Sequence, residues 1–327
     1  MVLRSAEFAG LADPFRRELL VFCYRMVGSV DEAEDLVQEV YLRAWRSYAS
    51  FEGRSSLRTW LYRIATNACL TALEHRSRRP LPSGLGAPSE DPAVPLTLAG
   101  PEASWLQPLP DVAGSADPAA IVTARDSLRL ALTAALQLLP PRQRAVLILR
   151  DVLAWPAAEV AELLGSSTAA VKSMLQRARA LIERVAPRED QLVHPGEPGV
   201  RAMVDQYMAA FEHADVAALV RLLRADVELE MPPFVTWFSG REAVARFAES
   251  HILGAPGELR MVVVGANGQP AVAAYRSGAD GVHRAHAVHV LTPAGDGIAR
   301  IVAFLGSDLF RRFELPMVHA ATADAAG

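Results

Sequence analysis

The sequence predicts a multidomain chain: two all-α blocks joined by a linker, then an α+β domain. Three observations predict this. Apolar residues recur at helical spacing through residues 8–79 and again through 119–187. Residues 80–118 between them are dominated by Pro, Gly, Ser and Ala, with sparse charge, the composition of a flexible linker. From 198 to 316, helical patterns come first and strand-like runs bounded by Gly, Asn, Asp and Pro follow. Residues 317–327 are Ala-rich and read as a disordered tail.

In the first block Asp31, Glu32, Glu34 and Asp35 open a helix, where acids oppose its dipole. Leu36, Val37, Val40, Tyr41 and Ala44 make its apolar stripe. Phe51-Glu52-Gly53 breaks the pattern, and Ser55 or Ser56 can cap a helix that runs to about Leu73. In the second block a helix spans Ala120 to Leu139 and ends at Pro140-Pro141. Another spans Arg142 to Val152. Pro156 takes a first-turn position, where a missing N–H costs nothing, and opens a short helix to Leu164. Gly165-Ser166-Ser167 makes a turn, and a last helix runs from Thr168 to about Val185. Within the linker, Trp105-Leu106-Gln107-Pro108-Leu109-Pro110-Asp111 is an island whose Trp is expected to pack on a neighbouring domain. The C-terminal domain has helices at Arg201–Phe211, Asp215–Leu223 and Arg241–Glu249. Its strands fall at Leu259–Val264, Ala271–Tyr275, His283–Leu291 and Ile298–Leu305.

Bulk properties narrow the function classes. With 327 residues the chain has room for two or three domains. Its formal net charge of −4 excludes a wholly basic nucleic-acid binder but leaves room for local basic faces. Cys23 and Cys69 both fall in apolar helical patterns and read as buried free thiols in a reducing compartment. The sequence has no bilayer-length apolar run and no basic segment leading into an apolar stretch at its start, so a cytoplasmic location is expected.

Residues 156–185 have helix-turn-helix grammar. Val171, Leu175, Ala178 and Ile182 define the inward face of the second helix. Ala169, Lys172, Ser173, Gln176 and Arg179 point elsewhere, and most of these are types that reach phosphates and base edges. A plain helical hairpin with a solvated face would show the same periodicity. A second basic segment, residues 54–79, holds Arg54, Arg58, Arg63, Arg76, Arg78 and Arg79 with Trp60 and Tyr62 interleaved. Arginines position phosphates and aromatics stack on unpaired bases, a mixture suited to melted DNA. An amphipathic core helix with a packed Trp60 is the competing reading.

These stretches coincide with a known family. Asp31 to Trp45 resembles the polymerase-binding helix of sigma region 2, and Phe51 to Asn67 resembles its promoter-melting and −10-reading stretch. Leu139 to Arg144, Ala158 to Leu164 and the Lys172–Arg179 helix resemble region 4. The spacing of the two blocks is similar to the extracytoplasmic-function (ECF) class of bacterial sigma factors. The resemblance implies all-α sigma region 2 at 8–79, a linker at 80–118 and an all-α helix-turn-helix region 4 at 119–187. It places Asp35, Gln38 and Glu39 on the polymerase clamp. It places Trp60, Arg63, Asn67, Arg76, Arg78 and Arg79 on the −10 strand, and Lys172, Ser173, Gln176, Arg177 and Arg179 on the −35 duplex. The linker with Trp105 would lie in or near the RNA exit path. The chain departs from the family pattern at Ala170, where Thr is frequent, and at Met174, where Arg is frequent.

Residues 198–316 resemble a SnoaL-like cone fold, through Arg201–Phe211, Met231-Pro232-Pro233, Trp237, Gly240 to Val244 and Phe304 to Pro316. Known sigma subgroups carry such a fused domain, and the Trp105–Asp111 island fits one of them. Cone folds offer a pocket, so catalysis has to be weighed. By strand periodicity His283 and His289 share one face and His286 takes the other, which makes no metal site. Asp226, Glu228 and Glu230 alternate without an acid–base partner.

Three readings of the whole chain compete: a sigma factor with a fused regulatory domain, a small-molecule enzyme with a DNA-binding appendage, and a helix-turn-helix repressor. The region 2 stretch favours the first, since a repressor has no use for a clamp-binding helix. Expected partners are therefore core RNA polymerase, promoter DNA at its −10 and −35 elements, and an unidentified small-molecule ligand of the C-terminal domain, with no membrane, cofactor or metal and no catalytic residue. The fused domain is expected to dock on the sigma core and tune promoter binding.

Overall fold

A computed structural model of the chain describes residues 8–74, 78–111, 129–185 and 197–319. These residues fall into two compact units. The first comprises 8–79, 104–107 and 131–185, and the second 80–103, 108–111, 129–130 and 197–319, within those bounds.

The first unit is helical. A helical segment at residues 8–12 leads through a 3-10 turn into α1 (Arg16–Val27), followed by α2 (Val30–Ser47) and α3 (Leu57–Leu73). Ser29 caps α2 by accepting from the Glu32 N–H, and Ser56 caps α3 by accepting from Thr59. Gly28 ends α1 at φ +72°, and a Cβ there would press on the Gln137 and Leu106 side chains at 3.0 and 3.1 Å. The core of the three helices includes Phe22, Tyr24, Val37, Val40, Leu61, Tyr62 and Ala65, with both free cysteines buried in it.

Four more helices follow: α4 (Leu130–Gln137), α5 (Pro141–Leu147), α6 (Ala157–Leu163) and α7 (Thr168–Val185). A π turn at Ile148–Val152 continues α5. Pro156 sits at the N-cap of α6 with ψ 142°, one position before the first-turn slot expected from sequence. Of the helix expected at Ala120–Leu139, residues 112–128 lie outside the described residues, and the described part is α4. Arg144 of α5 is buried. It donates to the Met26 carbonyl at the end of α1, to Gln137 Oε1 (2.7 Å), and to the Gln137 and Leu139 carbonyls (3.1 Å each). Burial pulls its pKa down to about 10, with the Arg78 charge adding to the effect, so it stays cationic at neutral pH. Residues 104–107 also belong here. Leu106 is fully buried, Gln107 Oε1 accepts from the Val30 N–H (2.8 Å), and the Tyr24 hydroxyl donates to the Gln107 carbonyl (2.7 Å).

The second unit is α+β. Helices α8 (Pro198–Glu212) and α9 (Val216–Leu222) precede β1 (Leu223–Glu230) and β2 (Trp237–Ser239). Then come α10 (Arg241–Phe247), β3 (Leu259–Ala266), β4 (Gln269–Ser277), β5 (His283–Ala294), β6 (Gly297–Leu305), α11 (Asp308–Arg312) and β7 (Val318–His319). Among the described residues the strands form one sheet ordered β2-β1-β6-β5-β4-β3, with β7 paired to β5. Only the β1–β6 pair is parallel. The tail expected to be disordered from residue 317 therefore begins as a strand. The Met317 carbonyl accepts from Ala285 and Val318 pairs with Arg284. Residues 320–327 lie outside the described residues.

Residues 80–103 and 108–111 are hydrogen-bonded within this unit. The Ser83 N–H donates to Glu230 (2.9 Å), Trp237 Nε1–H to the Gly86 carbonyl (2.9 Å), and Val235 N–H to the Thr97 carbonyl (2.9 Å). Asn267 accepts from Leu109 N–H (2.9 Å) and donates back to its carbonyl (2.8 Å). Proline and glycine keep the stretch irregular, apart from a 3-10 turn at Pro82–Gly84. Several of its backbone groups are paired all the same, which composition alone does not reveal.

Candidate nucleic-acid interface

Three surfaces of the first unit and one cavity of the second carry the residues picked out by sequence. Helix α2 buries Ala33, Val37, Val40 and Ala44 and leaves Asp35 and Gln38 exposed, with Glu39 partly so. Glu39 is held by Arg43 one turn on, Nε to Oε1 at 2.6 Å. The same face carries Leu42 and Trp45, exposed by 50% and 43%. Sequence reading missed them as surface residues. The signal was there, since both lie off the stripe of Val37, Val40 and Ala44. Two large apolar side chains beside a carboxylate row suit a protein partner.

Helix α3 presents the second surface. The Trp60 and Phe51 rings lie 4.8 Å apart. Both border a groove of about 670 Å³, shared by Arg54, Ser56, Thr59 and Arg63 with Trp155, Glu159 and Glu162. Arg63 is ion-paired with Glu162 of α6, and Tyr62 sets its ring edge-on to Trp155 at 5.8 Å. Asn67 is exposed one turn beyond Arg63. Arg78 is exposed as well, and Arg76 lies outside the described residues. Arg79 is placed differently. It pairs with Glu32 (2.6 Å) and donates to the Trp105 carbonyl (3.3 Å), with both ion-pair side chains mostly covered. Burial lowers its pKa from the ordinary guanidinium value.

The third surface is α7. Val171, Leu175 and Ala178 are buried; Lys172, Ser173, Gln176, Arg177 and Arg179 are all exposed. Ser167 caps the helix by accepting from Ala170 N–H (3.1 Å), after the turn at Gly165, whose φ is +56°. Arg177 donates to Ser173 Oγ (2.8 Å). Arg179 grips Asp151 with two bonds of 2.7 and 2.8 Å, and that carboxylate raises its pKa. Lys172, Ser173, Gln176 and Arg177 thus share one exposed stretch, with Arg179 tied at its edge.

In the second unit a cavity of about 330 Å³ lies between the helices and the sheet, lined almost wholly by apolar side chains. Its polar members are Tyr207, through its hydroxyl, His251, Arg276, His286 and His289. His286 and His289 both face it, against the period-two expectation. A β-bulge explains the difference: Ala274 pairs with Ala287 but Tyr275 pairs with Ala285, so His286 is the extra residue and turns inward. His289 Nδ1 is 2.9 Å from the Tyr207 hydroxyl. Burial, then the nearby His286, push the His289 pKa down to about 3; burial pushes Tyr207 up. Among the described residues no group of three or more His, Cys, Asp or Glu is placed to hold a metal ion.

Comparison with known proteins fixes the family. The Sigma-70 region 2 model matches residues 11–79, the Sigma-70 region 4 model 129–182 and the SnoaL-like domain model 204–303. The chain is 52% identical over 316 residues to the ECF RNA polymerase sigma factor SigG of Mycobacterium tuberculosis H37Rv, covering 96% of this chain and 85% of that one. The chain is an ECF RNA polymerase sigma factor. A second relative, M. tuberculosis SigJ, is 32% identical over 253 residues, covering 75% of this chain and 72% of that one. The crystal structure of SigJ matches with a TM-score of 0.64 at 25% identity, covering 96% of this chain and 99% of that one. As a sigma factor the chain binds core RNA polymerase and promoter DNA and directs transcription initiation; it is not an enzyme. Helices α1–α3 make region 2, α4–α7 make region 4, and α6-turn-α7 is its helix-turn-helix. The C-terminal sheet is the SnoaL-like domain. No helix among the described residues is long and apolar enough to cross a membrane.

Proposed function

We propose that this sigma factor divides its work as follows. Asp35, Gln38 and Glu39 of α2 hold the polymerase clamp, with Leu42 and Trp45 supplying the apolar part of that contact. Trp60, Arg63, Asn67 and Arg78 handle the melted −10 strand, with Arg76 beyond the described residues completing the basic run. Lys172, Ser173, Gln176, Arg177 and Arg179 read the −35 duplex. Arg79 serves mainly to fasten region 2 through Glu32, so its contribution to DNA is indirect. The units of function are region 2 at 8–79, a linker at 80–118, region 4 at 119–187 and a SnoaL-like regulatory domain at 198–316. The protein works in the cytoplasm, where polymerase is.

The observation that carries this reading is the outward row of Lys172, Ser173, Gln176 and Arg177 on a helix whose other face is buried. The fused domain is read as regulatory because its cavity is almost wholly apolar and its buried Tyr207 and His289 are bonded to each other. Run-off transcription from genomic fragments with bacterial core polymerase tests both parts. Discrete new starts with this protein are the expected result. No start with either the full chain or a truncation after Pro187 would overturn the promoter assignments. Equal transcription by the two would overturn the regulatory role of the domain.

A further inference from the structure

One wall of the SnoaL-like cavity comes from outside the SnoaL-like domain. Leu96 belongs to the segment that joins the two sigma regions, yet it lines the cavity beside Phe234 and packs on the domain core. Its neighbours are fastened to the 231–236 loop. Thr97 N–H donates to Thr236 Oγ1 (3.0 Å), Val235 N–H to the Thr97 carbonyl (2.9 Å) and Ala99 N–H to the Pro233 carbonyl (3.1 Å), while Leu98 bridges Phe234. The loop itself contributes Phe234 to the lining, with Met231 at its start. The strap and the loop it is bonded to therefore both touch whatever fills the cavity.

The lining states what that occupant is. Tyr207, Phe211, Leu229, Phe247, Ile301 and Ala303 offer no polar group to the interior apart from the Tyr207 hydroxyl, which is engaged by His289. Arg276 is the only cation in the lining. Its guanidinium faces Glu258 loosely (3.6 Å) and donates from one nitrogen to the Ile252 carbonyl (2.9 Å), while its Nε–H is buried without a hydrogen-bond partner. His286 beside it offers a neutral ring nitrogen. A net anion would have to compete with Glu258 for Arg276, a cation would meet the Arg276 charge, and a neutral acceptor escapes both costs. At about 330 Å³ the volume sits at the small end of the roughly 300–1,000 Å³ range of ligand pockets.

We propose that the cavity binds a small uncharged molecule, mostly hydrocarbon or aromatic with one hydrogen-bonding group at the His286–Arg276 end, and that its occupancy fastens the Leu96 strap of the inter-region linker. The inference rests on reading the fused domain as regulatory, and it supplies the route by which a ligand would reach the linker.

The test uses the full-length protein and N-phenyl-1-naphthylamine, an uncharged aromatic amine that fluoresces on leaving water. Saturable binding of one probe per chain is expected. Ala303→Leu, which places a larger side chain in the cavity, weakens it at least ten-fold, with thermal melting confirming the fold. Leu96→Ala, its fold checked by the same melting measurement, weakens the probe about five-fold through lost apolar contact. Probe binding slows hydrogen exchange at the Thr97 and Ala99 amides. Absence of saturable binding, or binding indifferent to both substitutions, would overturn the site. Binding without slower exchange at those amides would overturn the link to the strap. None of these measurements involves polymerase, so they succeed or fail separately from the transcription assay.

Discussion

Arg63 shows what a single residue's environment adds to its type. In sequence it is one arginine among six in a basic, aromatic-laced segment; in the fold it closes one side of the Trp60 groove and is ion-paired with Glu162 of region 4. Glu162 is mostly exposed, so the pair contributes under about 1 kcal/mol to stability. Glu162→Gln should then leave the melting temperature nearly unchanged. It should also raise the affinity of the free protein for a single-stranded −10 oligonucleotide, read by fluorescence anisotropy. A Glu162→Gln variant that binds no better than wild type would mean Arg63 does not meet the strand. On α7 the corresponding experiment is Lys172→Ala, which should weaken −35 duplex binding and lower the salt slope by about one ion. An unchanged slope would take Lys172 off the phosphate backbone. Residue types alone made Arg63, Arg78 and Arg79 equivalent. Periodicity could not separate the exposed Arg78 from Arg79, because Arg79's partner Glu32 is 47 residues away and the ion pair exists only in the folded unit.

At the scale of elements, helices were legible and strand details were not. Region 2 and the helix-turn-helix have clear apolar stripes, serines cap α2, α3 and α7, and α7 begins and ends where its sequence says. Strand β1 was missed because α9 runs straight into it at Leu223 without a turn residue and because Arg224, Asp226 and Glu228 crowd its outer positions. Its parallel partner β6 lies about 70 residues on, a pairing that no local pattern encodes. The β5 bulge defeated period-two reasoning for the same reason, since register belongs to the pair of strands and not to one of them. Arg144 makes the element-scale prediction. Its guanidinium bonds to carbonyls at the ends of α1 and α4, groups that have no helical partner of their own. Arg144→Met keeps the length and apolar stem but leaves those carbonyls unpaired. It should destabilise the helical unit by about 3 kcal/mol or more, since hydrogen bonds from a charged donor are worth about 1.5–3 kcal/mol each. Urea unfolding followed by tryptophan fluorescence in a Trp237→Phe background reads this unit alone, because Trp45, Trp60, Trp105 and Trp155 all belong to it. A shift below 1 kcal/mol would show that water replaces the guanidinium.

Across the whole molecule, regulation and promoter recognition are carried by units with different chemistry, and acid should affect them differently. The SnoaL-like domain buries His289 against Tyr207 with its pKa near 3, and His286 is lowered in the same direction by burial and by Arg276. In the unfolded chain both rings take up a proton near pH 6.5. A lowered folded-state pKa means that the unfolded state binds more protons, so stability is complete above about pH 6.5 and is lost as pH falls from there toward 3. Between pH 6.5 and 5 most carboxylates remain ionised in both states, which isolates the histidine contribution. There each histidine held neutral costs up to about 1.4 kcal/mol per pH unit. The wild-type domain should therefore melt progressively earlier over that range. His289→Gln, which can still hydrogen-bond the Tyr207 hydroxyl, should melt earlier at pH 7 but follow a shallower slope. The helical unit holds no histidine among its described residues and should show little change over the same window. Calorimetry at several pH values, comparing wild type with His289→Gln, resolves the two transitions. Parallel slopes for the two proteins would show that His289 is protonated in the folded domain and that its pairing with Tyr207 does not hold it neutral.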